Sequence, residues 1–442
     1  FFFSSRRRHT RFRNVTGVKT CALPICRDLL QFYLADSGSR VAVVDACFVD
    51  RFNEVARAGT NLHTVLVTED QWASRHAAEL EPADTHRDDM AFWMYSSGST
   101  GRPKGIVHLH HDMAYTVASY ATHVLRLQPG DVCLSVPKIY FAYGLGNSLS
   151  FPFAAGASSV LLPGQPKPAA IFDAIRQYRP TVFFGLPTLY TALAKAPEAA
   201  SADLASLRLY ISAAEILSEQ VFGEWKTLSG ADIVEGLGSS EVLHIYLSNY
   251  PQARKPGSAG RPVPGYEIKL LDVSGRPVAD GEEGILWVRG DSNAPAYWNR
   301  PDRTSETMRE DGWIYTGDRF VRDSDGFYFF QGRADDLIKI SGQWVHPLEV
   351  ELCLANHPSI RECAVLAVQL PDKRMTLKAF VVRNETGAAD PGLTATLQQY
   401  VKRTLMPFKY PRFVEYLPEL PRTGTGKIDR QALRQAGVPG AE

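Results

Sequence analysis

The run Tyr95-Ser-Ser-Gly-Ser-Thr-Gly-Arg-Pro-Lys-Gly105 consists mostly of small, hydroxylated and flexible residues and ends on a lysine and a glycine. Gly98, Gly101 and Gly105 permit backbone conformations and close approaches that side chains would block. Ser96, Ser97, Ser99 and Thr100 add hydroxyl donors, and Lys104 adds positive charge, so the loop can wrap a polyphosphate. The apolar stretch Met90 to Tyr95 reads as a buried strand, which puts the loop where α/β folds usually place ligands. No Gly-Lys-Ser/Thr follows a glycine at the Walker spacing, so the loop is not of that kind. Composition alone leaves a Gly/Ser surface turn as the other reading.

Outward from this loop, short apolar runs at Val41 to Val44, Val182 to Phe184, Leu207 to Ile211 and Ile285 to Val288 alternate with helix-like segments, the pattern of an α/β fold. Tyr266 to Asp272 alternates like a half-exposed strand, with a hairpin turn at Ser274-Gly275. Asp325-Gly326 likewise separates Arg319 to Arg322 from the aromatic strand Phe327 to Phe330, so this later region reads as an antiparallel, β-barrel-like subdomain. After Asp335 the pattern restarts as a small α+β unit. Pro347 opens a helix, strands follow at Cys363 to Val368 and Leu377 to Val382, and Leu393 to Leu405 reads as a helix. The expected division is a leader at 1–26, a large N-terminal domain of layered α/β sheets at 27–334 and a small C-terminal domain at 335–442, joined by a short hinge.

A chain of 442 residues exceeds one ordinary core. Its 48 Lys and Arg balance 48 Asp and Glu, so net charge recruits neither nucleic acid nor an anionic membrane. The cysteines at 21, 26, 47, 133, 353 and 363 show no paired metal-ligand spacing and fit free thiols in a reducing cytosol. No apolar run reaches the ~20 residues that span a bilayer, and a soluble, cytoplasmic protein is expected. Phe1 to Cys26 carries three phenylalanines and Arg6-Arg7-Arg8 without periodicity. It resembles a translated adapter sequence, with a basic disordered tail or transit peptide as the alternative, and is set aside from fold reasoning.

Four further words bear chemistry: Gly236-Leu-Gly-Ser-Ser-Glu241, Thr316-Gly-Asp318, Gly332-Arg-Ala-Asp-Asp336 and Pro421-Arg-Thr-Gly-Thr-Gly-Lys427. Taken singly each has a plainer reading. Glu241 suits a helix start, Asp318 and Arg333 suit a salt bridge, and Lys427 suits a solvated turn. In their order and spacing they resemble the adenylate-forming superfamily of acyl-CoA synthetases, peptide-synthetase adenylation domains and luciferases, over about residues 27 to 437. Superfamily members carry more chain ahead of Arg27, so the start of the large domain is expected to lie outside this sequence.

The resemblance implies an enzyme that uses ATP and Mg²⁺ to turn a carboxylate into an acyl-AMP with release of pyrophosphate, then passes the acyl group to a thiol. It assigns Ser97, Gly98, Ser99, Thr100, Gly101 and Lys104 to the β- and γ-phosphates, and Glu241, with Ser240 beside it, to Mg²⁺. Ala214 and Glu215, in Ser212-Ala-Ala-Glu215, fall on the segment lining the adenine site, with alanine where glycine is usual. Asp318 falls on the ribose hydroxyls, and Arg333 on the ribose or phosphate. Lys427 is implied to contact carboxylate and α-phosphate during adenylation and to leave as the small domain turns about Asp335. Gly342 is implied to line the pantetheine tunnel of CoA, flanked by Trp344 and by His346, where serine is expected.

Tyr140-Phe-Ala-Tyr-Gly-Leu-Gly-Asn147 and Leu243-His-Ile-Tyr246 look closely like benzoate-CoA ligases. By that resemblance Ala142, Tyr143, Gly238, Leu243, His244 and Ile245 surround an aryl ring, with Phe141 as an aromatic gate. Ordinary core packing is the plainer reading of these aromatics, and His244 either orients substrate or caps a buried polar network. The expected activity is conversion of benzoate or a close analogue to aryl-AMP and then aryl-CoA. Loading of a carrier-protein phosphopantetheine and a catalytically inactive ligand-binding homologue are the alternatives. Oligomeric state, a homodimer included, is left open.

Overall fold

A computed structural model of the protein describes residues 15–17, 27–57, 60–68, 79, 81–96, 103–164, 166–213, 217, 219–336, 338–340, 343–370, 374–384, 391–422 and 428–435. At its centre is a seven-stranded sheet. Across it run Arg261–Pro262, Ile245–Ser248, Ile233–Gly238, Leu209–Ala213, Val182–Gly185, Val132–Ser135 and Ser158–Leu161. The last five are parallel, and Ile245–Ser248 returns antiparallel to Ile233–Gly238. Most residues of the inner strands are buried, as parallel strands covered on both faces require. Phe183, Tyr210 and Ile233 pack beneath the helices Pro168–Tyr178, Pro187–Ala194 and Glu219–Ser229. Phe184, Ile211 and Val234 face Tyr120, Tyr246 and Tyr266 on the other side. Proline opens the first two of these helices, where its missing N–H costs nothing.

Chain order reverses around Val132–Ser135, which lies between the later strands Ser158–Leu161 and Val182–Gly185. In such sheets ligands settle outside the carboxyl ends of the strands near the reversal. Among the described residues the segments that leave those ends are 136–143, 186 and 239–244, most of which carry residues expected at the site.

Among the described residues two three-stranded sheets, one four-stranded sheet and two two-stranded pairs accompany the central sheet. Val41–Val44 and Thr64–Val67 pair in parallel, and Val15–Gly17, inside the stretch expected to stand outside the fold, pairs with Val41–Val43. Glu267–Leu271, Glu283–Arg289, Trp313–Arg322 and Tyr328–Arg333 form a four-stranded antiparallel meander, with the expected turns at 274–275 and 325–326. The run 285–288 therefore belongs to this meander, not to the parallel sheet. In the small unit, helix Pro347–Ala355 and helix Pro391–Thr404 cover a sheet of Ile360–Gln369, Met375–Arg383 and Phe413–Tyr416 around a core of its own. Cys133, Cys353 and Cys363 are buried free thiols. No described helix is long and apolar enough to cross a membrane.

The strand expected ahead of the glycine-rich loop forms a hairpin. Met90–Ser96 pairs antiparallel with Lys104–Leu109, with Ser96 opposite Lys104 and Tyr95 opposite Gly105. The hairpin is pinned by Trp93, which stacks on Trp298 with ring centroids 4.5 Å apart and planes 14° from parallel. Gly105 makes that stack reachable, because a Cβ there would lie 2.9 Å from Trp93 Cδ1 and 3.3 Å from Trp298 Cβ. The Trp298 N–H donates to the Gly105 carbonyl at 2.7 Å. Gly105→Ala is expected to part the two indoles and cost about 1–3 kcal/mol of stability, read as a lower urea midpoint by tryptophan fluorescence. An unchanged midpoint would refute this account of the glycine.

Candidate active site

Glu241 lies in the single 3-10 turn Ser240–Val242, directly beyond the carboxyl end of Ile233–Gly238. Its carboxylate is 3.1 Å from the Lys104 ammonium and accepts a 2.8 Å hydrogen bond from the Tyr297 hydroxyl. Lys104 in turn donates to the Tyr297 hydroxyl at 2.6 Å. Burial pushes the Glu241 carboxyl up, but the Lys104 charge and the Tyr297 and Lys104 hydrogen bonds outweigh it and hold the group below the usual carboxylate range. The Tyr297 phenol is pushed up, by burial first and by the Glu241 charge second.

The next residue but one, Leu243, has φ 70° and ψ −32°, a conformation rare for a branched side chain. It turns the chain back so that Ile245–Ser248 can pair with the strand it has just left. Gly238 admits this return, since a Cβ there would lie 2.4 Å from the His244 carbonyl oxygen. Leu243 is thereby driven into a buried cluster with Ala91, Phe92, Met94, Ala142 and Leu145. His244 is 3% exposed, packs its ring edge-on to Phe151 at 4.4 Å, and lies within 5.2 and 5.6 Å of the Tyr120 and Tyr143 rings. Burial drags its imidazole down to about 3, so the ring is neutral at working pH, and its Nε2 meets Asn147 Oδ1 at 3.3 Å. The Asn147 contact is of the buried polar kind, one of the two expectations for this residue. Ala142 and Tyr143 sit in the short helix Ala142–Leu145, and Phe141, half-buried against Tyr140, stands at its start.

On the meander, Asp318 and Arg333 occupy paired positions of adjacent strands and form the salt bridge that their types suggest, at 2.8 Å. Arg333 also donates to the Thr316 carbonyl. The Tyr246 phenol is fully buried, and its pKa is raised well above the ordinary value by burial first and by the charges of Asp318 and Glu241 next.

The structure thus brings Lys104, Ser240, Glu241, Asp318 and Arg333 into one region, and Ala142, Tyr143, Gly238, Leu243, His244 and Ile245 into a neighbouring one. Ser97, Gly98, Ser99, Thr100 and Gly101, Ala214 and Glu215, Gly342 and Lys427 lie outside the described residues. The backbone of Asp335 lies in the 3-10 turn Ala334–Asp336 that leads into the small unit. Sequence reading missed Tyr297 and Tyr246 as members of the cluster. Tyr297 stands in a loop without periodicity, and no local signal distinguishes it, whereas Tyr246 ended a word already noticed. Glu235 was also missed. It pairs in register with Ser212, and burial lifts its carboxyl to about 7 despite Arg254 at 3.3 Å.

A cleft of about 850 Å³ separates the helix Pro187–Ala194 from the small unit, with Arg333 and His346 in its wall. His346 precedes helix Pro347–Ala355 and reaches across to Glu283, 3.4 Å away on the meander, which also pairs with Arg319. Burial raises the Glu283 carboxyl, but hydrogen bonds from His346 and Arg319 win and lower it to about 2.

The family described as "AMP-binding enzyme" matches residues 27–298, and "AMP-binding enzyme C-terminal domain" matches 349–427. The chain therefore belongs to the AMP-binding enzyme family. It is 41% identical over 414 residues to a benzoate–CoA ligase of Thauera aromatica, covering 92% of this chain and 78% of that protein. It is 40% identical over 426 residues to a 4-hydroxybenzoate–CoA/benzoate–CoA ligase of Rhodopseudomonas palustris, covering 94% and 79%. Its fold superposes with a TM-score of 0.88 and 35% identity on the anthranilate CoA ligase AuaEII in complex with anthranoyl-AMP, over 94% of this chain and 81% of that one.

Because Glu283 is held below its ordinary value of 4.5, its contribution to stability is present above that pH and is lost as pH falls through about 2. The margin by which the wild-type melting temperature exceeds that of Glu283→Gln should shrink as pH falls from about 5 through about 2. A margin that persists in acid would remove the carboxylate from this contact.

Proposed function

We propose that this protein activates an aromatic carboxylic acid, benzoate or a close analogue, and transfers it to CoA, as an AMP-forming acid–thiol ligase of the benzoate–CoA ligase type. The observation that carries this reading is the Lys104–Glu241–Tyr297 cluster, with the Asp318–Arg333 pair on the meander, beside a buried apolar cluster reached by the same turn that bears Glu241. In the first half-reaction the carboxylate oxygen attacks the α-phosphorus of ATP and pyrophosphate leaves. In the second, the CoA sulfur attacks the acyl carbon, AMP leaves with the bonding electrons, and the thiol proton goes to solvent. Both steps need charge neutralised where it develops more than they need covalent help from the protein.

Glu241 would hold Mg²⁺, and the donor set fits that ion. Among the described residues no group of three or more His, Cys, Asp or Glu could form a protein cage, and Mg²⁺ favours one or two carboxylates supplemented by phosphates and water. When bound, the ion supplies positive charge to the phosphates. Before ATP arrives, Lys104 and Tyr297 keep Glu241 ionised in a partly desolvated place. On arrival, Lys104 passes to the phosphates. Asp318 accepts from the ribose hydroxyls, and Arg333, already fixed on Asp318 and the Thr316 carbonyl, donates to ribose or phosphate.

We assign the remaining residues in the same spirit: Ser97, Gly98, Ser99, Thr100 and Gly101 to the phosphates, Ala214, Glu215 and Ser240 to the nucleotide, Gly342 to the pantetheine arm, and Lys427 to the α-phosphate and carboxylate. The large domain then runs to 334 and the small one from 335, with Asp335 as the hinge. Leu243, His244 and Ile245 oppose Ala142 and Tyr143 around the ring, with Phe141 toward the thiol path. A neutral His244 and apolar neighbours suit an uncharged ring, while the ordered backbone at Gly238 limits its width. Cytoplasmic action without a membrane partner completes the reading.

Pyrophosphate release from ATP and Mg²⁺ tests it, with benzoate, 4-hydroxybenzoate, 2-aminobenzoate, cinnamate and acetate compared with and without CoA. Benzoate should support release, and benzoyl-CoA should form without any carrier protein. Release with another acid alone would overturn the pocket assignment and keep the chemistry, and silence on all five from folded protein would favour the inactive homologue. Lys427→Ala should abolish benzoate-dependent pyrophosphate release by about 10² or more, yet still make benzoyl-CoA from supplied benzoyl-AMP. Equal loss of both half-reactions would contradict its assignment to adenylation alone.

A further inference from the structure

The turn that carries Glu241 is gripped from three directions. The Ser240 carbonyl accepts from His108 Nε2 at 2.8 Å, the Glu241 carbonyl from the Ala294 N–H at 2.8 Å, and the Val242 carbonyl from the Ser292 hydroxyl at 2.8 Å. Ser292 has given its hydrogen to Val242, so the Tyr266 hydroxyl, 2.7 Å away, donates to it. Three consecutive carbonyls are thus held by three hydrogen bonds from two segments, the strand of His108 and the loop of Ser292 and Ala294, and the strained Leu243 follows immediately. Backbone held in such a region persists only where its surroundings over-determine it.

His108 stands out among the three grips. It lies on the same strand and the same face as Lys104, four residues on, so one strand edge holds both the side chain of Glu241 and the carbonyl just before it. Its ring is fully buried, 5.4 Å from the Phe92 ring. A carbonyl can only accept, so Nε2 carries the hydrogen. Nδ1 lies 2.7 Å from Asp112 Oδ2, itself fully buried and also accepting the Leu109 N–H. Asp112 therefore sets the ring's angle and the ring sets the turn, an arrangement of the type that orients ligands from behind. A buried carboxylate and imidazole are costly to maintain for packing alone.

We propose that His108 and Asp112 are positioning residues for adenylation. By fixing the Ser240 carbonyl they hold on one turn both the Glu241 carboxylate and the Leu243–His244 wall of the aryl pocket, so metal–nucleotide binding and aryl binding depend on the same hydrogen bond. This rests on the functional reading above for what occupies each side of the turn, and on the geometry alone for the coupling.

The test compares His108→Ala with His108→Gln, whose amide can donate to the same carbonyl, and with Ile175→Ala, a core truncation in helix Pro168–Tyr178. Three quantities are read: metal-free calorimetric affinity for 5′-O-(N-benzoylsulfamoyl)adenosine, Mn²⁺ affinity in the presence of ATP by electron paramagnetic resonance, and the benzoate KM against kcat for pyrophosphate release. His108→Ala should weaken both affinities and raise the KM, each by about tenfold. His108→Gln should recover most of this, and Ile175→Ala should lower the melting temperature without moving any of the three. Affinities within about twofold of wild type in a destabilised His108→Ala, failure of His108→Gln to recover, or the same losses in Ile175→Ala would overturn the proposal. Failure of the functional reading would show separately, as wild-type protein that releases pyrophosphate with no aryl acid, and the Mn²⁺ affinity would still report on the turn.

Discussion

A carboxylate that keeps its charge while its side chain is only 18% exposed needs a cation and a donor within reach, and Lys104 and Tyr297 supply both to Glu241. Much of the large domain can be traced from that requirement. Lys104 is delivered by the second strand of a hairpin, so the hairpin must be anchored against the loop that carries Tyr297. The Trp93–Trp298 stack, one residue beyond Tyr297, does this, with the Trp298 indole donating to the Asp36 carbonyl and Asp36 bonded in turn to Tyr95 and Arg300. Glu241 itself is delivered by the end of a central parallel strand. Three parts of the fold distant in the chain therefore converge on a single charge.

The turn 240–243 also makes the Lys104–Glu241–Tyr297 cluster and the apolar cluster of Leu243 neighbours. Glu241 joins the polar one and Leu243 the apolar one, and the positive φ of Leu243 is what separates them within two residues. Under the proposed reading, one turn that carries both suits a reaction in which the carboxylate substrate must meet the α-phosphate at short range, since orientation of the reactants supplies much of the rate. The His346–Glu283 contact is of another kind. It crosses from the small unit to the meander, is partly exposed, and spans elements that a domain rotation would separate, so it belongs to one arrangement of the two units.

A good part of this was legible in the chain. The strands 41–44 and 182–185, the turns at 274–275 and 325–326, and the helix–strand–strand–helix order at the heart of the small unit follow from hydrophobic period and from glycine and proline punctuation, which are local properties. Pairing was less legible than strand character. The apolar run before the glycine-rich loop is the buried strand expected, but burial alone does not reveal whether the next strand returns beside it or crosses over. The run 285–288 has the same ambiguity, and pairing with 267–271 resolved it toward the meander.

The sequence by itself determined the family, because its glycine-rich loop and the words around Glu241, Asp318, Arg333 and Lys427 are short and contiguous, and such words survive reading without coordinates. It also determined the class of fold through periodicity. Only the tertiary structure decided who stands behind those words: Tyr297 bonds Glu241 from 56 residues away and His108 holds Ser240 across 132. Hydrogen bonds at such separations are set by how strands and loops pack in space, and they leave no spacing in the chain from which they can be read.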